Sequence, residues 1–200
     1  MRIASFLRFP FLFRIAAAGM LASALGACAS APERPGPAQA PATAQADRVA
    51  EALLAADRAE QAGDGVALAA AIGVLDRLGA KPLDAAAGDP LPHWRSLADT
   101  GEPPLRGRPL GPGYRKGVIA PGQTERIEQL FLSGQRARIA LTAPGQNRLN
   151  LTVDDAKQSS VCGAGARPLR CEWVPLFTQR YTIAIANPGT AAAEYYLAVE

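Results

Sequence analysis

Two periodicities divide the chain. In Gln135–Leu141, the residues Ala137, Ile139 and Leu141 alternate with Arg136, Arg138 and Ala140. In Arg148–Asp154, Leu149, Leu151 and Val153 alternate with Arg148, Asn150 and Thr152. The sets Tyr181, Ile183, Ile185 and Tyr195, Leu197, Val199 follow the same rule. A period of two sends successive side chains to opposite faces, so these segments predict antiparallel strands with one covered face. Their separators, Pro121-Gly122, Ser133-Gly134, Pro144-Gly145 and Asn187-Pro188-Gly189, are turn formers. Residues 113–200 therefore predict a β-sandwich or jelly roll, with Trp173 and Phe177 as bulky core residues.

The second periodicity lies in 47–80. Val49, Leu53 and Leu54 form one helical stripe, and Leu68, Ile72, Leu75 and Leu78 form another. Gly63-Asp64-Gly65 interrupts them, and Gly79 with Pro82 ends the second. This predicts a helical hairpin. Such pairs recur in tetratricopeptide-like repeats, but those arrays need about three copies and one is visible. The hairpin is expected to pack on the following domain or on a partner. The chain is thus expected to be mainly β, with a sandwich preceded by a small helical hairpin.

Before the hairpin the pattern changes twice. Residues 1–27 hold Arg2, Arg8 and Arg14 and no acid, then an uncharged run from Ile15 to Ala27. A basic start, a short apolar stretch and small exit residues describe a secretory signal, and the run is shorter than the ~20 residues that cross a bilayer. The exit, Leu25-Gly26-Ala27-Cys28, resembles the bacterial lipoprotein box. That resemblance implies acylation of the Cys28 thiol, cleavage before Cys28 and acylation of its new amino group. Ordinary cleavage nearby is the alternative, because Ala27-Cys28-Ala29 and Ala29-Ser30-Ala31 both fit a small-x-small site. Residues 28–46 are rich in Ala, Pro and Gln and hold no large apolar side chain, which predicts a disordered tether. Residues 81–112 read as a Pro/Gly-rich loop containing His93 and Trp94.

Composition then narrows the chemistry. The formal charge of +3 equals the three arginines of the leader, so the rest of the chain has no net attraction for nucleic acid. One histidine in 200 residues rules out a multi-histidine metal site within the chain. A Ser-His-Asp or Cys-His centre would have to use His93, which no nucleophile motif flanks. No cofactor is implied: Gly163-Ala164-Gly165 and Gly111-Pro112-Gly113 lack the spacing and the following Lys of a phosphate cradle. Cys162 and Cys171 remain as an even pair in an exported chain, and a structural disulfide is expected between them.

From about Gly113 to Glu200 the motifs resemble the bacterial pre-peptidase C-terminal domain, a small β-sandwich appended to secreted proteins. They are Gly117–Gln123, Leu132–Gln135, Leu149–Asp154, Arg180–Ile183 with Asn187-Pro188-Gly189, and Tyr196–Val199. The resemblance implies a non-catalytic accessory module for binding, stability or export. Asn147 and Asn150 stand where that family often has aspartates, which weakens a calcium expectation; Asp154 and Asp155 remain as oxygen ligands or as a solvated turn. No peptidase domain is read upstream.

The candidate binding face is an outward stripe of Arg126, Arg136, Arg138 and Arg148, for an anionic glycan or partner. Its alternative role is strand-edge protection and solubility. The expected protein is a non-catalytic lipoprotein, held by Cys28 on the periplasmic side of the outer membrane, that binds an envelope protein or polysaccharide. Two further readings stay open. One is an envelope hydrolase, or a subunit of one, using carboxylates such as Glu125 and Glu128. The other is a purely structural envelope lipoprotein.

Overall fold

The computed structural model describes residues 44–84, 88–101, 111–145, 148–165 and 168–200. Residues 1–43, on which the expected leader, Cys28 and most of the expected tether fall, and Asn147 lie outside the described residues. Helix α1 spans Gln45–Ala62 and α2 spans Gly65–Leu78. The Gly-Asp-Gly interruption serves both. Gly63 closes α1 in a left-handed conformation with φ 66°, which a glycine adopts without a Cβ clash. Asp64 then caps α2 by accepting from the amides of Val66 at 3.1 Å and Ala67 at 2.9 Å. The helix starts earlier than its apolar stripe implies, because Gln45 and Ala46 already belong to it. Ala46 is buried and its amide donates to Glu200 Oε2 at 3.1 Å.

The described residues of the stretch 81–112 are less irregular than its prolines suggest. They hold a two-residue strand β1 (Lys81–Pro82) and a short helix α3 (Leu91–Leu97). Asp89 Oδ1 accepts the Leu91 amide at 3.0 Å and the Tyr114 hydroxyl at 2.6 Å, fixing the entry to α3. Trp94 is fully buried and anchors the helix.

Among the described residues eight strands follow: β2 (Gly113–Ile119), β3 (Thr124–Phe131), β4 (Ala137–Thr142), β5 (Asn150–Asp154), β6 (Ser160–Ala164), β7 (Leu169–Trp173), β8 (Gln179–Ala186) and β9 (Ala193–Val199). They form a five-stranded sheet, β1-β2-β9-β4-β7, and a four-stranded sheet, β3-β8-β5-β6. Every pairing is antiparallel except β1 with β2. The sandwich core between the sheets is built from the alternating set, including Ile139, Leu151, Ile183, Ile185 and Leu197.

The five-stranded sheet is covered on its other face as well. Val49, Leu53, Ile72, Leu75 and Trp94 of the helices pack against Tyr114, Ala140, Tyr196 and Ala198. Strand β9 is therefore buried on both faces, where one covered face was expected. The continuous apolar run Tyr195-Tyr196-Leu197-Ala198-Val199 suits that central position. Burial and the nearby Asp57 carboxylate push the Tyr196 phenol well above the ordinary phenol range. Among the described residues, no helix is long and apolar enough to cross a membrane.

Candidate binding surface

The disulfide forms between Cys162 on β6 and Cys171 on β7. These are edge strands of different sheets, so the bond fastens the two layers of the sandwich. Such bonds persist in oxidising compartments, as expected of an exported protein.

The four arginines do not form one face. Ile127 points into the core, so Arg126 points outward from the four-stranded sheet. Arg138 lies between Ala137 and Ile139 of the core and points outward from the five-stranded sheet, on the opposite side of the molecule. Arg136 and Arg138 flank Glu172, each with a nitrogen 3.1 Å from it, and Arg138 also reaches Glu200 at 3.4 Å. Arg148 is exposed in the turn before β5. A period of two tells which residues share a side of one strand, but not which sheet the strand joins.

The acids divide in the same way. Glu125 turns toward β2, where its Oε1 lies 2.5 Å from Arg115 Nη2; Arg115 also holds Asp84 at 2.6 Å and donates through Nε to the Tyr195 hydroxyl at 3.3 Å. This network ties β3 to the other sheet. Glu128, three positions on, faces out beside Arg180. The two glutamates are not brought together, and a paired-carboxylate centre is not formed by them. Asp155 is used locally: its Oδ1 accepts the amides of Lys157 at 2.8 Å and Ser159 at 2.9 Å, closing the turn after β5.

His93 is exposed on α3, with Nε2 2.8 Å from Glu60 Oε1, while the Trp94 indole donates to Glu60 Oε2 at 2.6 Å. The Trp94 hydrogen bond, helped by His93 against the opposing effect of burial, holds the Glu60 carboxyl below its ordinary range. This arrangement docks α3 onto α1.

What the residues do assemble is an apolar end. At the end of the core Phe131 meets Trp173 and Tyr181 edge to face, with centroids 4.9 Å and 5.7 Å apart, and Trp173 and Tyr181 lie tilted at 5.4 Å. The chain leaves this plug in two loops, one joining β3 to β4 and the other joining β7 to β8. The loops are bonded to each other. Ser133 Oγ donates to the Leu176 carbonyl at 2.7 Å, the Ser133 amide to Thr178 Oγ1 at 3.0 Å, and the Gly134 amide to the Pro175 carbonyl at 2.9 Å. Gly134 has φ 73°, so the turn that makes these bonds requires it.

On this frame stand Leu130, Leu132, Val174, Leu176 and Phe177, five of the nine exposed large apolar residues among those described. Leu176 is 81% exposed and Phe177 is 71% exposed. The expectation of Phe177 as a core residue is thus overturned: it sits in the β7–β8 loop, beyond the last position that faces the other sheet. Trp173 is the residue that enters the aromatic plug. Beside the loops a cleft of about 510 Å³ runs along Leu130, Leu132, Phe131 and Ala137 to Gln45 and Glu200. The signal for this end was present in Val174-Pro175-Leu176-Phe177, an apolar run with a proline and no alternation.

No family model matches the chain, and no curated protein matches it in sequence. Among solved structures it is similar to PliG of Aeromonas hydrophila, a periplasmic inhibitor of g-type lysozyme, at 13% identity over 44% of this chain and 84% of that one, with a TM-score of 0.37. It is similar to the pre-peptidase C-terminal domain of a Bacillus anthracis collagenase at 13% identity over 44% of this chain and 89% of that one, with a TM-score of 0.40. It also matches the capsular polysaccharide assembling protein CapF of Staphylococcus aureus at 12% identity over 68% of this chain and 41% of that one, with a TM-score of 0.31.

Proposed function

We propose that this chain is an exported, lipid-anchored protein of the bacterial envelope whose sandwich is a non-catalytic accessory module, and that the module works by adhesion through its apolar end. The observation that carries the reading is the pair of hydrogen-bonded loops holding Leu176 and Phe177 in water. Exposing a clustered apolar surface costs free energy, and such clusters on soluble proteins mark interaction sites. Placing them on loops braced by a rigid scaffold is the usual arrangement for binding. The disulfide supports export, and the sequence before Cys28 supports the lipid anchor.

Glu125, Asp155 and Glu60, the acids nearest to a chemical role, are engaged in holding the fold. This favours adhesion over hydrolysis. The partner belongs to the envelope, whether protein, polysaccharide or the membrane itself.

Two measurements test the reading. Radiolabelled palmitate is expected to enter the wild-type chain in cells and not Cys28→Ser; an unlabelled wild type would overturn the anchor. A maleimide probe is expected to react with Leu176→Cys much more slowly in intact envelopes than in purified protein. Equal rates would mean that nothing covers the apolar end.

A further inference from the structure

We infer that the apolar end docks on the lipid bilayer itself, with Leu176 and Phe177 entering the boundary between headgroups and acyl chains. The inference rests on the lipid-anchor reading above and names the occupant of the same surface.

Three observations converge. The first is where the chain to the anchor leaves the fold. Gln45, the first residue of α1, lines the cleft whose other wall carries Leu130 and Leu132. Its neighbour Ala46 is bonded to Glu200, and the backbone of Glu200 pairs with that of Arg138 at the start of β4. The described chain therefore begins at the end of the sandwich that bears the apolar loops. The step from Cys28 to Gln45 reaches at most about 60 Å, so an acylated Cys28 keeps this end close to the bilayer at high effective concentration.

The second is shape and polarity. Leu176 and Phe177 project from the loops, which suits a soft planar surface. Part of the backbone behind them is paired within the loops: the Leu176 and Pro175 carbonyls accept from the Ser133 hydroxyl and the Gly134 amide, and the Ser133 amide donates to Thr178. Unpaired backbone groups are what makes entry into hydrocarbon costly; this pairing removes part of that cost, and docking at the headgroup boundary leaves the remaining groups in reach of water.

The third is the rim. Arg136 and Arg180 stand about the apolar end, their side chains 59% and 71% exposed beside Glu172 and Glu128. Exposed guanidinium groups can exchange such carboxylates for lipid phosphates at little cost, because surface ion pairs are weak. A second, weak membrane contact beside a lipid anchor would fix the orientation of the module, and two signals hold a protein at a bilayer better than one.

The test uses residues 29–200, which hold every described residue and lack the lipid-bearing cysteine, mixed with vesicles of phosphatidylethanolamine and phosphatidylglycerol. The chain is expected to float with the vesicles, and Leu176→Ser with Phe177→Ser to lower its partition at least tenfold. Val118→Ser, a change at an exposed apolar residue (65%) at the other end of β2, should leave the partition unchanged. All variants should melt like the parent, because the replaced side chains are in water. A parent chain that ignores vesicles, or a double variant that partitions equally, overturns the inference. If the parent ignores vesicles while Leu176→Cys remains protected in intact envelopes, a protein or polysaccharide covers the site; the adhesive function then stands and the bilayer docking falls.

Discussion

The Ser133 hydroxyl donates to the Leu176 carbonyl at 2.7 Å, joining two loops that are 43 residues apart in sequence. That bond, with the Ser133 amide bond to Thr178, sets the position of Leu176, the most exposed apolar residue of the sandwich among those described. Ser133→Ala should therefore cost about 1 kcal/mol. Its larger effect should be local: the Gly134 amide, bonded to Pro175, is expected to exchange hydrogen faster while the β9 amides keep their protection. Uniform acceleration across the sandwich would show that the loops are not a separate unit.

Cys162 and Cys171 connect edge strands of opposite sheets. Reducing them, or replacing both by serine, should destabilise the fold by about 2.5 kcal/mol, the chain-entropy value for so short a loop. The expected readout is a lower Tm, with β6 and β7 exchanging first. An unchanged Tm under reducing conditions would contradict the role assigned to the bond.

Asn187 is a buried amide at the opposite end of the sandwich. Its Nδ2 donates to the carbonyls of Ile119 at 2.9 Å and Ala191 at 2.8 Å, and its Oδ1 accepts the Gly189 amide at 2.9 Å. Asn187→Leu would leave these groups without their partner, so a loss of about 2–4 kcal/mol is expected in denaturant titration. A loss below about 0.5 kcal/mol, the size of a surface change, would mean that water replaces the side chain.

Acid should loosen α3. The Glu60 carboxyl is held below its ordinary value near 4.5, first by the Trp94 indole. A depressed folded pKa contributes stability above the unfolded value, and that contribution is lost as the pH falls through the folded value. In a Trp173→Phe background, Trp94 fluorescence is expected to shift toward that of exposed tryptophan below about pH 4.5, before the sandwich unfolds. Glu60→Gln should flatten this transition. A transition of unchanged midpoint in that variant would assign it to another group.

The strands and the hairpin were legible because each follows from a local rule. Ile139, Leu151 and Ile183 occupy the core where their period of two placed them, and Gly63-Asp64 ends one helix and caps the next as those residue types require. Phe177 lies in a loop, where no alternation could place it, and the four arginines are not brought onto one face. Alternation assigns a side within one strand, while a binding face depends on which strands become neighbours, and here Arg126 and Arg138 belong to different sheets.

By itself, the order of residues determined the pairing partner of each late cysteine, the sandwich class and the helical hairpin. Each of these depends on composition or on neighbours a few positions away. The packing of the helices over β9 and the meeting of the two apolar loops were decided only in three dimensions. Both depend on contacts between distant segments, and the free energy of such contacts comes from surface removed from water when the sheets and helices stack, a quantity that no local pattern contains.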